Sequence, residues 1–443
     1  MTTPPDSGER LSRLASKARE GLQMVKGPAT RMVGITFISA AVSRAGQFLL
    51  AIVFAHMAGP EIYGTFTFAL GLATLVAFLV NFGWPNMVNR LMPEMHLKRQ
   101  WGLMRGFVDG ADLFSVCTSI LGILAILASG YFFPHLREGL ALGSAMLVPL
   151  ALTRLRRQEL AAVKRPAWGL SLDQGFAAWS TLAFVLLSET TNVVSVGLVF
   201  ALANLLGVGV GTLIFRHRLP AEAKRAQRLW DWRRWLRMGG TLWIGNAADQ
   251  MMKRTDIVML GPLSTLSEVG IYGAAFRLTY FMSFPQYVVM TVVTPRLSEA
   301  FARGQAARAR RLMRAVHLFA FATALPVAVV LGVFAEPVMV LIFGKSFANG
   351  SLTLMLLAVS QAMDAFIIGF SSLLMMGNKE KELSRQNLAA LAANLLLNLI
   401  LVPTFGAPGA ASATLTVTIM LLWSNYRIAR GALDELEAAT GTA

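Results

Sequence analysis

The recurrence of long uncharged apolar runs constrains this chain more than any other feature. Between Met32 and Leu422, stretches of about 20 residues with almost no charge follow one another, and about 20 such residues carry a helix across the hydrocarbon core of a bilayer. Water is absent there, so the backbone must satisfy its own hydrogen bonds, and a helix does so within itself. A membrane β-barrel would instead leave short alternating segments, and this sequence has none. The periodicity predicts an all-α integral membrane protein of about twelve spans, near 30–57, 64–89, 108–133, 138–154, 166–188, 192–215, 238–261, 269–294, 315–343, 352–376, 384–404 and 408–427. Glycine and proline punctuate the turns, as at Gly59-Pro60, Gly261-Pro262 and Gly406 to Gly409.

The charges orient these spans. The chain has 40 Lys+Arg against 24 Asp+Glu, a net charge of +16. In a soluble protein that surplus would suggest nucleic acid. Here 55% of residues are hydrophobic and 14% charged, against roughly 25% charged in soluble domains, and the basic residues crowd into alternate short loops. With the N-terminus inside, cytoplasmic segments hold 34 of the 40, the outer loops hold Arg137 and Lys345, and Arg44, Lys253, Arg254 and Arg277 remain within spans. Cytoplasmic loops carry the Lys/Arg excess, so both termini are expected in the cytoplasm and no nucleic-acid partner is expected.

Five segments follow: a basic amphipathic segment at 1–29, suited to an anionic membrane surface; an N-lobe of spans one to six at 30–215; a basic linker at 216–237; a C-lobe of spans seven to twelve at 238–427; and a tail at 428–443. The linker sets eight Arg/Lys around Trp230, Trp232 and Trp235, a pattern suited to the headgroup level of the membrane. Cys117 is the only cysteine and is expected to be a small core residue. The lobes look like copies: Ile62-Tyr63-Gly64 recurs as Ile271-Tyr272-Gly273 and Leu103-Met104-Arg105 as Leu312-Met313-Arg314, both at an offset of 209. Parallel repeats of this kind place a substrate site between lobes that rock to alternate access.

Charges within spans are rare and mark function by default, because each costs several kcal/mol to insert. At 100° per residue, Asn246, Asp249, Lys253 and Asp256 fall within about 80° of one helix face, with Arg254 off it toward Gln250. Asp249 and Lys253 stand four apart and can pair. Arg44, mid-span, calls for an anionic ligand or a carboxylate such as Asp173 or Asp364; guanidinium matches phosphate with two parallel hydrogen bonds. Arg277 belongs to the same basic cavity or snorkels outward. Asn387, Asn394 and Asn398 share a face within about 40°, lining the cavity or joining helices. Asp364 is the candidate ion-coupling residue, for protons or sodium. No cofactor or metal is expected. The five histidines form no helical metal pair and there is no Walker A loop, so the chain is not expected to be an enzyme.

Several stretches carry a resemblance: Gly59-Pro60-Glu61-Ile62-Tyr63-Gly64, Phe68-Ala69-Leu70, Asn81-Phe82-Gly83, Thr255 to Gly261, Glu268 to Gly273, and Val402 to Gly406 with Gly409-Ala410-Ala411. Together these resemble the polysaccharide, or O-antigen, flippases of the multidrug/oligosaccharidyl-lipid/polysaccharide exporter superfamily. The resemblance implies two six-helix lobes around a cationic central cavity. It implies an undecaprenyl-pyrophosphate-linked oligosaccharide, flipped to the periplasmic leaflet of the bacterial inner membrane. A polysaccharide polymerase and glycosyltransferases are the partners it suggests. Alternatives are an ion-coupled multidrug exporter of the same fold, a peptidoglycan-precursor flippase, and a polysaccharide polymerase or ligase, although the latter usually carries a large periplasmic loop that is missing here.

Overall fold

A computed structural model describes residues 28–280, 282 and 284–441; the expected amphipathic segment lies outside them up to Gly27, and the Asn246 side chain lies outside them as well. Helices account for the described residues, with no strand among them. The longer ones, in order, are α1 (Pro28–Val80), α2 (Trp84–Leu97), α3 (Trp101–Phe132), α4 (Arg137–Ala162), α5 (Phe176–Ser188), α6 (Val193–Arg218), α7 (Trp232–Leu263), α8 (Leu266–Tyr280), α9 (Phe284–Ala302), α10 (Ala306–Val333), α11 (Ser351–Met376) and α12 (Glu380–Gly441), joined by turns and by short helices such as Ala335–Phe343.

Two of these helices fold back on themselves. In α1, Gly59 has φ 77° and ψ 175°. The Phe54 and Phe66 rings lie 5.6 Å apart, whereas twelve residues of straight helix would separate them by about 18 Å. Glycine ends the first limb without a Cβ clash and Pro60 opens the second, where its missing N–H costs nothing. In α12, Gly406 has φ 58°. The Ala407 N–H there donates to the Glu268 carboxylate at 2.7 Å, so α8 caps the turn.

Eight helical segments among the described residues are long and apolar enough to cross a membrane. Helix α7 misses that criterion because it carries Asp249, Lys253, Arg254 and Asp256. The outer surface is leucine, isoleucine and phenylalanine; Leu213 is 72% and Ile400 67% exposed. Hydrocarbon, not water, is the solvent such a surface suits. Cys117 belongs to that surface, correcting the expected core position: it is exposed beside the outward Leu113, Ile120, Leu121 and Leu124. A lipid-facing helix is apolar on both faces, so hydrophobicity alone did not reveal which face is inside.

The repeats meet each other. Gly64 in α1 and Gly270 in α8 lie so close that a Cβ on Gly64 would sit 1.7 Å from the Leu266 carbonyl oxygen, and one on Gly270 would sit 2.0 Å from that of Pro60. Helix α7 continues the contact along α1, with Ile257 against Gly71 and Phe68 against Gly261. At the end that carries the basic loops and the described C-terminus, Gly83 (φ +78°) lies against Gly239, where an added Cβ would stand 2.4 Å from the Gly239 oxygen.

The linker departs from expectation. Trp235 is fully buried, as is Trp84, and they stack edge-on at 5.8 Å, with Phe107 5.6 Å away. Leu229 closes over Gly102 and Gly106 of α3, Arg105 donates to the Ala226 carbonyl at 2.9 Å, and Arg228 pairs with Asp109 at 2.7 Å. The glycines of α3 admit this close approach, so Trp232 and Trp235 serve as core. Trp230, 45% exposed, keeps an edge free.

Candidate functional site

The intramembrane charges fall into three groups on and behind the surface where α1, α4, α7, α8 and α11 meet. The first is basic. Arg44 of α1 lies over the Tyr280 ring of α8 at 6.0 Å. Arg277, one turn before Tyr280, crosses to α1 and donates to the Gln47 carbonyl at 3.2 Å. Arg254 of α7 interacts electrostatically with Tyr280, Arg154 and Arg277. Arg154 of α4 donates to the Thr74 carbonyl at 3.3 Å and to Gln250 Oε1 at 3.1 Å, and lies 5.6 Å from the Phe78 ring. Four arginines from four helices and both repeats therefore converge. Arg154 and Arg277 donate to carbonyl oxygens, and the Asp173 carboxylate, itself paired with Arg157, acts on Arg154 only electrostatically.

Arg154 is absent from the sequence-derived site. It precedes Arg156 and Arg157 at the predicted edge of span four, so it reads as part of a basic loop. Its helical phase was the available signal, because residues 154 and 156 point about 200° apart. Arg156 does the opposite job: buried at the basic end, it binds Asp112 and Glu159. Asp173, one candidate partner for Arg44, instead pairs with Arg157 at 2.8 Å.

The second group is balanced. Lys253 donates to Asp249 at 2.7 Å, as the spacing predicts, and Gln250 donates to the same oxygen at 3.0 Å. Through Gln250 this pair joins Arg154. Asp364 of α11 faces both Lys253 and Asp249 electrostatically and accepts from Gln361 at 3.3 Å. Asp249 and Lys253 are about half exposed, at 41% and 51%.

The third group lies behind them. Asp256 is 7% exposed and accepts four hydrogen bonds: from Tyr272 at 2.6 Å, Asn394 at 3.1 Å, Asn398 at 2.9 Å and Thr414. The expected polar stripe along α7 is therefore split. Asp249 and Lys253 face an accessible surface, whereas Asp256 and Asn394 form a knot that ties α7 and α8 to both limbs of α12. The side chains that α8 and α12 bring to Asp256 make this difference, which the phase of α7 alone does not contain. Asn387 lies two turns before Asn394 and is partly exposed, outside the knot.

Among the described residues no three His, Cys, Asp or Glu side chains gather as a metal site. The knot is rich in oxygen ligands of the kind hard cations take. Its amide nitrogens, however, face the carboxylate, and Asn394 Oδ1 and Asn398 Oδ1 have no partner. An amide must present nitrogen to a carboxylate unless a proton or cation lies between them.

Comparison with known proteins bears on this arrangement. A Haloferax volcanii protein named as a probable low-salt glycan biosynthesis flippase, Agl15, is 25% identical over 159 residues, which is 36% of this chain and 34% of that protein. The chain thus spans about a third of the length of that curated relative. Among solved structures, the lipid II flippase MurJ in an inward closed conformation has a TM-score of 0.71 at 15% identity, covering 91% of this chain and 90% of that one. An inward-facing MATE-family multidrug resistance transporter of the MOP superfamily has a TM-score of 0.70 at 13% identity, covering 91% and 99%. At such identities the likeness is of fold. The polysaccharide biosynthesis protein family matches residues 29–301, more than half of the sequence, and the chain belongs to that family, built on the fold of the MurJ and MATE transporters.

Proposed function

We propose that this protein flips an undecaprenyl-pyrophosphate-linked oligosaccharide from the cytoplasmic to the periplasmic leaflet of the bacterial inner membrane, for assembly of O-antigen, capsule or exopolysaccharide. One observation carries the proposal: Arg44, Arg154, Arg254 and Arg277 converge at membrane depth from both repeats. A diphosphate offers the paired anionic oxygens that guanidinium groups bind best. The polyprenyl tail stays in lipid while headgroup and sugar pass between the lobes. Rocking opens the Gly64–Gly270 seam at one end and closes the other. The arginines then lose one face to the diphosphate and regain it after release. Asp364, set against Lys253 and Asp249, is the group proposed to couple this motion to a proton or sodium gradient; Asp364→Asn should remove the pH-gradient dependence of transport.

A second reading, an ion-coupled multidrug exporter, draws on the near-equal likeness to MATE and MurJ folds. A cationic drug calls for exposed carboxylates. Here Asp249 is neutralised by Lys253 and Asp256 is occupied by four donors, which favours the anionic substrate. A deletion strain decides between them. Accumulation of lipid-linked oligosaccharide on the cytoplasmic side, relieved by the wild-type chain but not by Arg254→Gln, is expected. Raised drug susceptibility with no such accumulation would favour the exporter.

A further inference from the structure

A second basic site lies apart from the membrane-depth cluster. At the basic end, where α2 meets the first turns of α7, a cavity of about 670 Å³ is lined by Arg90, Arg233, Arg234 and Arg237, with Asp231 and the apolar Met238 and Leu242. Asp231 is committed to capping α7, accepting from the Arg234 N–H at 3.2 Å. Arg234 leans to Glu94 at 3.3 Å. Among the described residues nothing forms an ion pair or hydrogen bond with the guanidinium group of Arg90, Arg233 or Arg237, and all three residues are exposed. Three uncommitted guanidinium groups around one hollow repel each other unless an anion occupies it. The hollow also lies at the positive end of the 32-residue helix α7, whose dipole favours an anion there.

We propose that this basin binds the phosphate-bearing headgroup of a membrane lipid. Two features select lipid over a soluble phosphate. Met238 and Leu242 give the basin an apolar lining on which methylenes can lie. Just before it in sequence, Trp230 stacks on the part-buried Trp232 at 5.6 Å and 4° and keeps an exposed edge, which suits headgroup depth. The arginines divide between the two sides: Arg90 stands on α2 of the N-lobe, and the other three stand on the first turns of α7, where the linker runs into the C-lobe. A bound headgroup therefore bridges the lobes at this end and favours the conformation in which they meet. The inference rests on the proposed function only for the identity of the lipid. A polyprenyl diphosphate substrate and a bulk anionic phospholipid offer the same chemistry.

Arginine modification reads the basin residue by residue. The full chain, in phosphatidylcholine nanodiscs, is treated with phenylglyoxal, and the labelling rate at each arginine is followed by peptide mass spectrometry. Farnesyl pyrophosphate is the diphosphate probe, and nanodiscs containing phosphatidylglycerol are the phospholipid arm. We expect labelling of Arg90, Arg233 and Arg237 to slow by about fivefold or more on headgroup binding, since each such contact is a charge-assisted hydrogen bond, with Arg225 unaffected. Protection by farnesyl pyrophosphate identifies the diphosphate carrier as occupant, and protection by phosphatidylglycerol alone identifies bulk lipid. In an R233Q/R237Q variant the protection of Arg90 should disappear. Equal labelling rates in every arm overturn the inference. If farnesyl pyrophosphate protects Arg254 while neither it nor phosphatidylglycerol protects the basin, the inference fails and the proposed function stands; if farnesyl pyrophosphate protects neither site and phosphatidylglycerol leaves the basin unchanged, both fail.

Discussion

Replacing Gly64 by alanine should separate the two repeats without unfolding either. The new Cβ would lie 1.7 Å from the Leu266 carbonyl oxygen, 2.7 Å from its carbon and 2.9 Å from the Gly270 nitrogen, where ordinary contact begins near 3.4 Å. All three atoms are backbone, so no side chain can rotate away and α8 itself must retreat by about 1.7 Å, the difference between the first and last of those distances. Overpacking of this kind costs about 1–3 kcal/mol. The penalty falls on the conformation in which α1 and α8 touch, and a conformation with the seam open escapes it. A bias of that size shifts a two-state population by about 5- to 150-fold. Spin labels at Glu61→Cys and Thr265→Cys, in a Cys117→Ala background, would report the change by pulsed electron resonance in nanodiscs. The distance distribution should move to longer values in Gly64→Ala, with thermal stability altered little. Gly34→Ala is the control, because nothing lies within 4 Å of its Cβ. An unchanged distribution in Gly64→Ala would refute the claim that this seam is the closed gate.

Asp256→Ala should destabilise the fold by about 3 kcal/mol or more, since each buried donor left without its acceptor costs about 1–3 kcal/mol and Tyr272, Asn394, Asn398 and Thr414 all lose theirs; thermal unfolding in detergent measures it, and Asp256→Asn should cost less. Arg254→Gln should lower the rate of lipid-linked oligosaccharide flipping in proteoliposomes by about tenfold or more, with Arg254→Lys intermediate, because ammonium keeps the charge but not the planar two-point geometry. At the basic end, hydrogen bonding from Lys98, supported by Arg234, holds the Glu94 carboxyl below its ordinary 4.5. A carboxyl depressed by folding stabilises above its unfolded value and loses that contribution as pH falls through the folded one. Glu94→Gln should therefore lower the melting temperature slightly at neutral pH, and the difference should vanish once the wild-type carboxyl protonates.

Much of the architecture is legible in local patterns. Among the described residues the apolar runs lie mostly in helix, Gly59-Pro60 and Gly406 to Gly409 turn the chain where punctuation suggests, and the Asp249–Lys253 pair forms at its i,i+4 spacing. The copied Ile-Tyr-Gly triplets are real features of the fold as well, since their glycines and tyrosines pack near the seam between α1 and α8. These follow from properties that neighbouring residues share: hydrophobicity over a span, a missing Cβ at a turn, a fixed angle per residue.

Partnership between distant elements was not legible in this way. Asp249 and Asp256 look alike on a helical wheel, yet one is half exposed beside Lys253 and the other is wrapped by Tyr272, two asparagines and a threonine. Trp235 reads as a membrane-surface residue but fills a pocket that glycines of α3 open for the linker. Arg154 reads as loop charge but points across the lobes to Gln250. Cys117 lies in an apolar run and faces outward. In each case the side chain's fate depends on which helix packs against it. Solvation and charge pairing are decided by neighbours tens or hundreds of residues away, so a local pattern supplies the chemical group and long-range packing supplies its surroundings.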